Sequence, residues 1–316
     1  YRMYDNRDTP EYHVIPPGID INRFYPYYHT MIPEFSRDEM QLHALASMTH
    51  ELNRFLTFPE RPLVLALCRP DKRKNISGLI KAYGEDPELK AMANLAIFAG
   101  IRKVITDMEE NEREVLTEML LLMDKYDLYG KMAIPKRHNF DLEVPELYRI
   151  AAEKRGVFVN AALTEPFGLT ILEASSCGLP IVATHDGGPR DIVKNCDNGI
   201  LIDPNDCGDI AAAVKKILTD ESTWDTYSMN GIIKIREHYT WEAHAKTYFD
   251  VIRRLMRERG KSLQKTRPKG DIPFGVRLTK VFHLLVSDID NTLVGETRNE
   301  HLPLLLDMLQ QAHDHI

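Results

Sequence analysis

Two glutamates eight residues apart, Glu165 and Glu173, enclose the string Pro166-Phe167-Gly168-Leu169-Thr170. A carboxylate can accept hydrogen bonds from a pair of adjacent hydroxyls, so Glu173, one to two turns inside a helix, suits the vicinal diol of a ribose. Glu165, in the loop before that helix, can do the same for a hexose. Gly168 allows a ligand close to the backbone, and the free N–H groups after it can receive a phosphate oxygen. Taken singly, glutamates on a helix are ordinarily just solvated.

Further along the same logic, Arg69-Pro70-Asp71-Lys72-Arg73-Lys74-Asn75 crowds cations and anions ahead of a helix whose N-terminus favours anions. Arg69 offers a planar fork and Lys74 a mobile point charge, a pair suited to a diphosphate; a solvated basic loop is the plainer alternative. A third loop, His185-Asp186-Gly187-Gly188-Pro189, fits an ordinary tight turn with Pro at the first helical position. Each of the three follows an apolar run, and their joint occurrence at strand ends of one sheet favours ligand binding over coincidence. A separate signal is Asp288-Ile289-Asp290-Asn291-Thr292 after the apolar run ending at Val286. Side chains two apart in extended chain share a face, so one carboxylate can act as nucleophile and the other as acid while a divalent cation offsets their charge. An Asx-capped turn is the alternative there.

Such residues need elements to hold them. From Leu63 onward short apolar runs alternate with segments of helical periodicity, which predicts parallel strands joined by crossover helices. The strands fall at Leu63 to Cys68, Leu95 to Ala99, Lys131 to Ile134, Val157 to Asn160, Ile181 to Thr184 and Gly199 to Ile202. The clearest helices fall at Asn75 to Tyr83, Glu109 to Lys125, Val144 to Lys154, Gly168 to Cys177, Asp206 to Leu218, Glu221 to His238 and Trp241 to Arg257. The fold class is α/β, a Rossmann-like doubly wound parallel sheet. Residues 27–60 break the rhythm and read as a helical insertion, with Ser36 as its cap and Met40 to Phe55 as its helical run. Gly260 to Gly270 is polar, basic and poor in apolar residues, which reads as a linker.

The 316 residues are 43% hydrophobic and 28% charged, enough to bury a full core. A net charge of −7 gives no general attraction for nucleic acid. No apolar run approaches the ~18 residues of a membrane span, and the first residues lack a signal-peptide pattern. Four cysteines without metal-ligand spacing suit a reducing compartment, the cytoplasm by default. The chain starts without Met and stops inside an amphipathic pattern, so a fragment of a longer protein is expected.

The strings from Arg69 to Asn75, EPFGLTILEA from Glu165 to Ala174 and GLPIVATHDGGP from Gly178 to Pro189 resemble the donor lobe of the large retaining, two-lobed glycosyltransferase family that includes sucrose-phosphate synthases and sucrose synthases. The stretches LALCRPDKRKNISGLIKAYGE, DKYDLYGKMAIPKRHN, VPELYRIAAEKRGVFVN and NGILIDP are similar to the sucrose-phosphate synthases in particular. The resemblance implies the donor half of a GT-B fold, with UDP-glucose as donor substrate, no cofactor for glycosyl transfer and fructose 6-phosphate as acceptor. It implies that Arg69 and Lys74 hold the donor diphosphate, Glu173 the ribose and Glu165 the transferred glucose at the reacting centre, with the backbone of Phe167, Gly168, Leu169 and Thr170 nearby. The loop after the third strand, where the family seats uracil, makes Lys136, Arg137 and His138 the candidate base pocket.

The Asp288 string in turn resembles the first motif of haloacid-dehalogenase-type phosphatases. That implies Asp288 as nucleophile, Asp290 as general acid and both as ligands of Mg2+, in a phosphatase domain too short here to hold the family's other motifs. The resulting organisation is residues 1–20 as the end of an N-terminal lobe, 21–62 as crossover and helical insertion, 63–258 as the nucleotide-sugar lobe, 259–280 as linker and 281–316 as the start of the phosphatase. The acceptor pocket belongs mostly to the N-terminal lobe, so the chain alone is expected to bind nucleotide and transfer little sugar. A sucrose synthase, another retaining transferase of the family and a nucleotide-sugar-binding module without transfer are the competing readings.

Overall fold

The computed structural model describes residues 13, 15–28, 36–102 and 104–265, with side chains described to residue 257. The chain divides into two compact units, Tyr1–Tyr248 and Phe249–Ile316. The first holds a six-stranded sheet, all neighbours parallel, in the order β3-β2-β1-β4-β5-β6. Its strands are β1 (Leu63–Cys68), β2 (Asn94–Ala99), β3 (Met132–Ala133), β4 (Val157–Asn160), β5 (Ile181–Thr184) and β6 (Gly199–Ile202). The helices are α1 (Glu39–Asn53), α2 (Ile76–Glu85), α3 (Pro87–Met92), α4 (Glu110–Lys125), α5 (Glu143–Glu153), α6 (Leu169–Ser176), α7 (Gly188–Cys196), α8 (Cys207–Thr219), α9 (Glu221–His238) and α10 (Trp241–Lys265). This is the doubly wound order, with the chain reversing direction across the sheet between β1 and β4.

The strands read as unbroken apolar runs because both faces are covered. Successive residues point to opposite sides, and the two hydrophobic clusters follow that period of two. Val64, Leu95, Ile97 and Val159 join α2, α4 and α8 on one face. Leu63, Leu65, Leu67, Phe98 and Phe158 join α1, α5, α6 and α7 on the other. Among the described residues no helix is long and apolar enough to cross a membrane.

Several elements differ from expectation. The cap of α1 is Asp38 rather than Ser36: Asp38 accepts from the Gln41 N–H while the Gln41 side chain accepts from the Asp38 N–H, a reciprocal capping box that serine two residues earlier cannot close. In the region read as an insertion, α1 sends Ala44, Met48 and Leu52 into the interior beside α5. Helix α3 is additional, fixed by Pro87 at its start and Asp86 as its cap. Helix α10 continues to Lys265, into the segment read as linker, because Ser-Leu-Gln-Lys is low in apolar content yet good helix-forming sequence. The Asp288 and Asp290 motif and the rest of residues 266–316 lie outside the described residues.

Candidate functional site

In a doubly wound sheet the carboxyl ends of the two strands at the reversal splay their loops apart and leave a crevice. Here those strands are β1 and β4, and the loops are the ones carrying Arg69, Lys74 and Glu165. A cavity of about 300 Å³ opens there, lined by Cys68, Arg69, Lys74, His138, Phe140, Asn160 and Thr170 among others. Burial pushes the Cys68 thiol up to about 12, so this part of the wall stays a neutral thiol.

The crowded β1 loop sorts its own charges. Arg73 turns back onto Asp71 at 2.7 Å, and Lys72 reaches Glu114 on α4 at 2.5 Å. Arg69 and Lys74 are the two cations left on the cavity wall. Asn75, left-handed at φ 52°, ends the 3-10 turn Lys72–Lys74, starts α2 and donates to the Pro204 carbonyl at 2.7 Å. The β1 loop is also tied to the β4 loop by the Leu163 N–H donating to the Arg73 carbonyl at 2.8 Å.

Across the crevice, Lys74 Nζ lies 2.6 Å from Glu165 Oε2, and Asn160 Nδ2 donates to the same oxygen at 3.1 Å. Burial pushes the Glu165 carboxyl up, but the bonds from Lys74, Asn160 and the Phe167 N–H outweigh it and hold the group below its ordinary range. Glu165 is therefore an ionised acceptor. The glycine pair of the third loop serves this segment directly. Gly187 (φ 87°) bridges to Glu165, and a Cβ there would meet the Glu165 carbonyl oxygen at 2.1 Å. Gly188 donates its N–H to the same carbonyl at 2.9 Å. The two glycines thus let one loop lie flat on the other, which is a structural use of the motif.

Gly168 (φ 94°) caps α6 with no side-chain hydrogen bond, so the first turn relies on its own backbone. Phe167 and Leu169 are exposed beside it, and Thr170 reaches the cavity wall. Glu173 behaves differently from Glu165. It is buried, 7% exposed, and accepts from the Tyr148 hydroxyl at 3.2 Å. Burial raises its carboxyl to about 7, against the Tyr148 hydrogen bond and the charge of Arg23. Tyr148 is held in turn by edge contacts with Phe158 and a tilted ring contact with Phe24.

Of the candidate base pocket, only His138 lines the cavity; Lys136 and Arg137 are exposed. Burial lowers the His138 pKa despite nearby Glu143, so the ring is neutral, and its Nδ1 is a buried atom without a hydrogen-bond partner. Arg102 braces the loop, donating to the carbonyls of Ile134 and Pro135 at 2.8 and 2.9 Å. The structure thus brings together Arg69, Lys74, His138 and Thr170 on one wall, with Glu165 reached through Lys74. Glu173 is not among the lining residues; its carboxylate accepts from Tyr148, whose ring packs on the lining residue Phe158.

Asn160, Tyr148 and Phe140 were not singled out from sequence. A polar residue closing an apolar strand at the sheet reversal was the available signal for Asn160. Nothing local marks Tyr148, whose role depends on a partner 25 residues away. Among the described residues no group of three or more His, Cys, Asp or Glu side chains is placed to hold a metal ion.

The sheet is six-stranded and all parallel with its reversal between β1 and β4, and the family model for group 1 glycosyl transferases matches residues 49–233. The chain belongs to that family, and its sheet is the Rossmann-like donor lobe of a GT-B glycosyltransferase. Among its relatives is a probable sucrose-phosphate synthase of Oryza sativa subsp. japonica, 42% identical over 246 residues, which are 78% of this chain and 23% of the relative. The chain thus spans about a quarter of the length of the curated relatives it matches. Among solved structures, the sucrose-phosphate synthase of Thermosynechococcus elongatus superposes with a TM-score of 0.58 at 26% identity, covering 78% of this chain and 53% of that one. An Anabaena protein solved with UDP and glucose shares the fold, with a TM-score of 0.57 at 17% identity over 74% of this chain and 55% of that one.

Proposed function

We propose that this chain is the donor lobe of an enzyme that moves glucose from UDP-glucose to fructose 6-phosphate, with retention at the anomeric carbon, giving sucrose 6-phosphate. The observation that carries the reading is the convergence of Arg69, Lys74 and Glu165 at the β1 and β4 ends, in a chain 42% identical to sucrose-phosphate synthases. In this reading Arg69 and Lys74 take the diphosphate, the Phe167 to Thr170 backbone lies alongside, Glu165 accepts from glucose hydroxyls and Glu173 from the ribose. His138, neutral and with an unpartnered nitrogen, is the member of its loop suited to the uracil edge. Glycosyl transfer here needs no cofactor, since a cationic pair supplies the charge that a leaving diphosphate requires.

The Asp288 and Asp290 motif extends the proposal to an appended phosphatase domain using Mg2+, acting on the phosphate ester that the transferase makes. The protein works in the cytoplasm. Calorimetry with UDP tests the donor site. Arg69→Ala and Glu173→Ala should each weaken binding, and unchanged affinity in both defeats the assignment. Acceptor identity is tested on the full-length protein by comparing fructose 6-phosphate with fructose, and a preference for free fructose would refute the acceptor named here.

A further inference from the structure

Glu165 carries the proposed sugar contact, yet it is paired to Lys74, the side chain also proposed for the diphosphate. The ammonium has three donors but one charge, so sharing it with a diphosphate weakens its hold on the carboxylate and gives weight to any second donor that keeps the carboxylate in place. Asn160 is built for that task. It closes β4, lines the cavity and is half-buried. Its Oδ1 accepts from the Ala162 N–H at 3.2 Å, which fixes the orientation of the amide and turns Nδ2 onto Glu165 Oε2 at 3.1 Å. Lys74 and Asn160 thus converge on one oxygen.

Resting on the donor-lobe reading, we infer that Asn160 is a positioning residue: it holds Glu165 as an oriented, ionised acceptor for the sugar of a nucleoside diphosphate hexose once Lys74 engages the diphosphate. The remaining surroundings agree. The Phe167 N–H also bonds the carboxylate, and the Gly187 and Gly188 contacts fix its backbone. The titratable groups around it are Lys74 and the Cys68 thiol from the β1 side, and from the third loop Asp186, which accepts from neighbouring Thr164 at 2.9 Å. Of these only Lys74 favours the charged carboxylate, so removing the Asn160 donor shifts Glu165 toward its protonated form whenever Lys74 is occupied elsewhere.

The experiment is calorimetry on this chain with UDP and with UDP-glucose, from pH 5 to pH 8, for the wild type, Asn160→Ser, Asn160→Asp and Glu165→Gln. Serine keeps a short acceptor for the Ala162 N–H but its hydroxyl is too short to replace the amide at Glu165, and aspartate keeps an isosteric acceptor while replacing the amide donor with a like charge, so both remove the Asn160 bond to Glu165 and one variant remains informative if the other fails to fold. In Asn160→Ser the affinity for UDP-glucose relative to UDP should fall roughly tenfold, the scale of a hydrogen bond to a charged group, and the loss should set in at a higher pH than in the wild type as pH is lowered. A purely structural role would weaken both ligands together and leave the pH profile unmoved, which overturns the proposal. Glu165→Gln separates the layers: if it leaves the UDP-glucose to UDP ratio unchanged, the sugar contact assigned to Glu165 is wrong. If it changes the ratio while both Asn160 variants do not, only the role of Asn160 is wrong.

Discussion

Glu165 and Glu173 are eight positions apart and sit in opposite electrostatic surroundings. Glu165 is crowded by donors, Lys74, Asn160 and a backbone N–H, and stays ionised. Glu173 is as little exposed but set deeper among protein atoms, and it meets one phenol and the charge of Arg23, so burial dominates and its carboxyl sits near about 7. A third glutamate calibrates the pair. Glu146 on α5 is fully buried and fully compensated, 2.6 Å from Arg149 and 3.0 Å from Arg37. Donor count and depth together separate Glu165 from Glu173, and Glu146 shows how a deeply buried carboxylate is held when two guanidinium groups reach it.

The largest expected effect comes from stripping compensation from the best-paired member. Arg149 also donates to the carbonyls of Tyr25 and Arg23 at 3.0 and 2.6 Å, so Arg149→Met leaves buried Glu146 with Arg37 as its cation and removes a donor from two carbonyls. A loss of about 3–5 kcal/mol in urea denaturation is expected, and a loss under about 1 kcal/mol would show that the Arg149 contacts contribute little to stability.

Next comes the pH dependence of Glu173. Its folded value lies above the ordinary ~4.3 of an unfolded glutamate, so the folded state holds the proton more tightly. The residue then costs nothing below about pH 4, its cost grows as pH rises toward about 7, and it is constant above that. Glu173→Gln should therefore gain on the wild type by up to about 3 kcal/mol between pH 4 and pH 8. Parallel stability curves would mean that the carboxyl is solvated.

Lys74→Met removes the strongest donor to Glu165 and one of the two cavity cations, and UDP affinity should drop by about tenfold or more. Binding unchanged at low salt would remove Lys74 from the diphosphate site. The smallest effect is Tyr148→Phe, expected to cost about 1 kcal/mol, and more at pH 8 than at pH 5 because the lost hydroxyl favours the ionised Glu173. A pH-independent cost would assign the hydroxyl to packing alone.

The sheet was legible in the sequence because each strand is buried on both sides and so is written as an apolar run; β1, β4, β5 and β6 have the bounds expected. The β3 strand is shorter than expected, since only Met132 and Ala133 keep a paired register with β2. At the site, Arg69, Lys74 and Glu165 were legible because residues following strand ends face the crevice. Their division of labour was not. Nothing local says that Lys72 and Arg73 are spent on Glu114 and Asp71, that His138 turns inward while Lys136 and Arg137 stay exposed, or that Asn160 and Tyr148 each serve one glutamate. Those facts depend on partners brought together only by the fold.

The pairing of β1 with β4 sets residues 64 and 157 side by side, with β2, β3 and their helices between them in the chain. Contacts that span so much sequence are costly to close, because loop-closure entropy is lost before they return any gain. The crevice at that junction is therefore expected to be completed after the transition state for folding. A nucleotide that binds it should leave the folding rate nearly untouched and slow unfolding instead, acting as a lock on the finished sheet rather than as a template for building it.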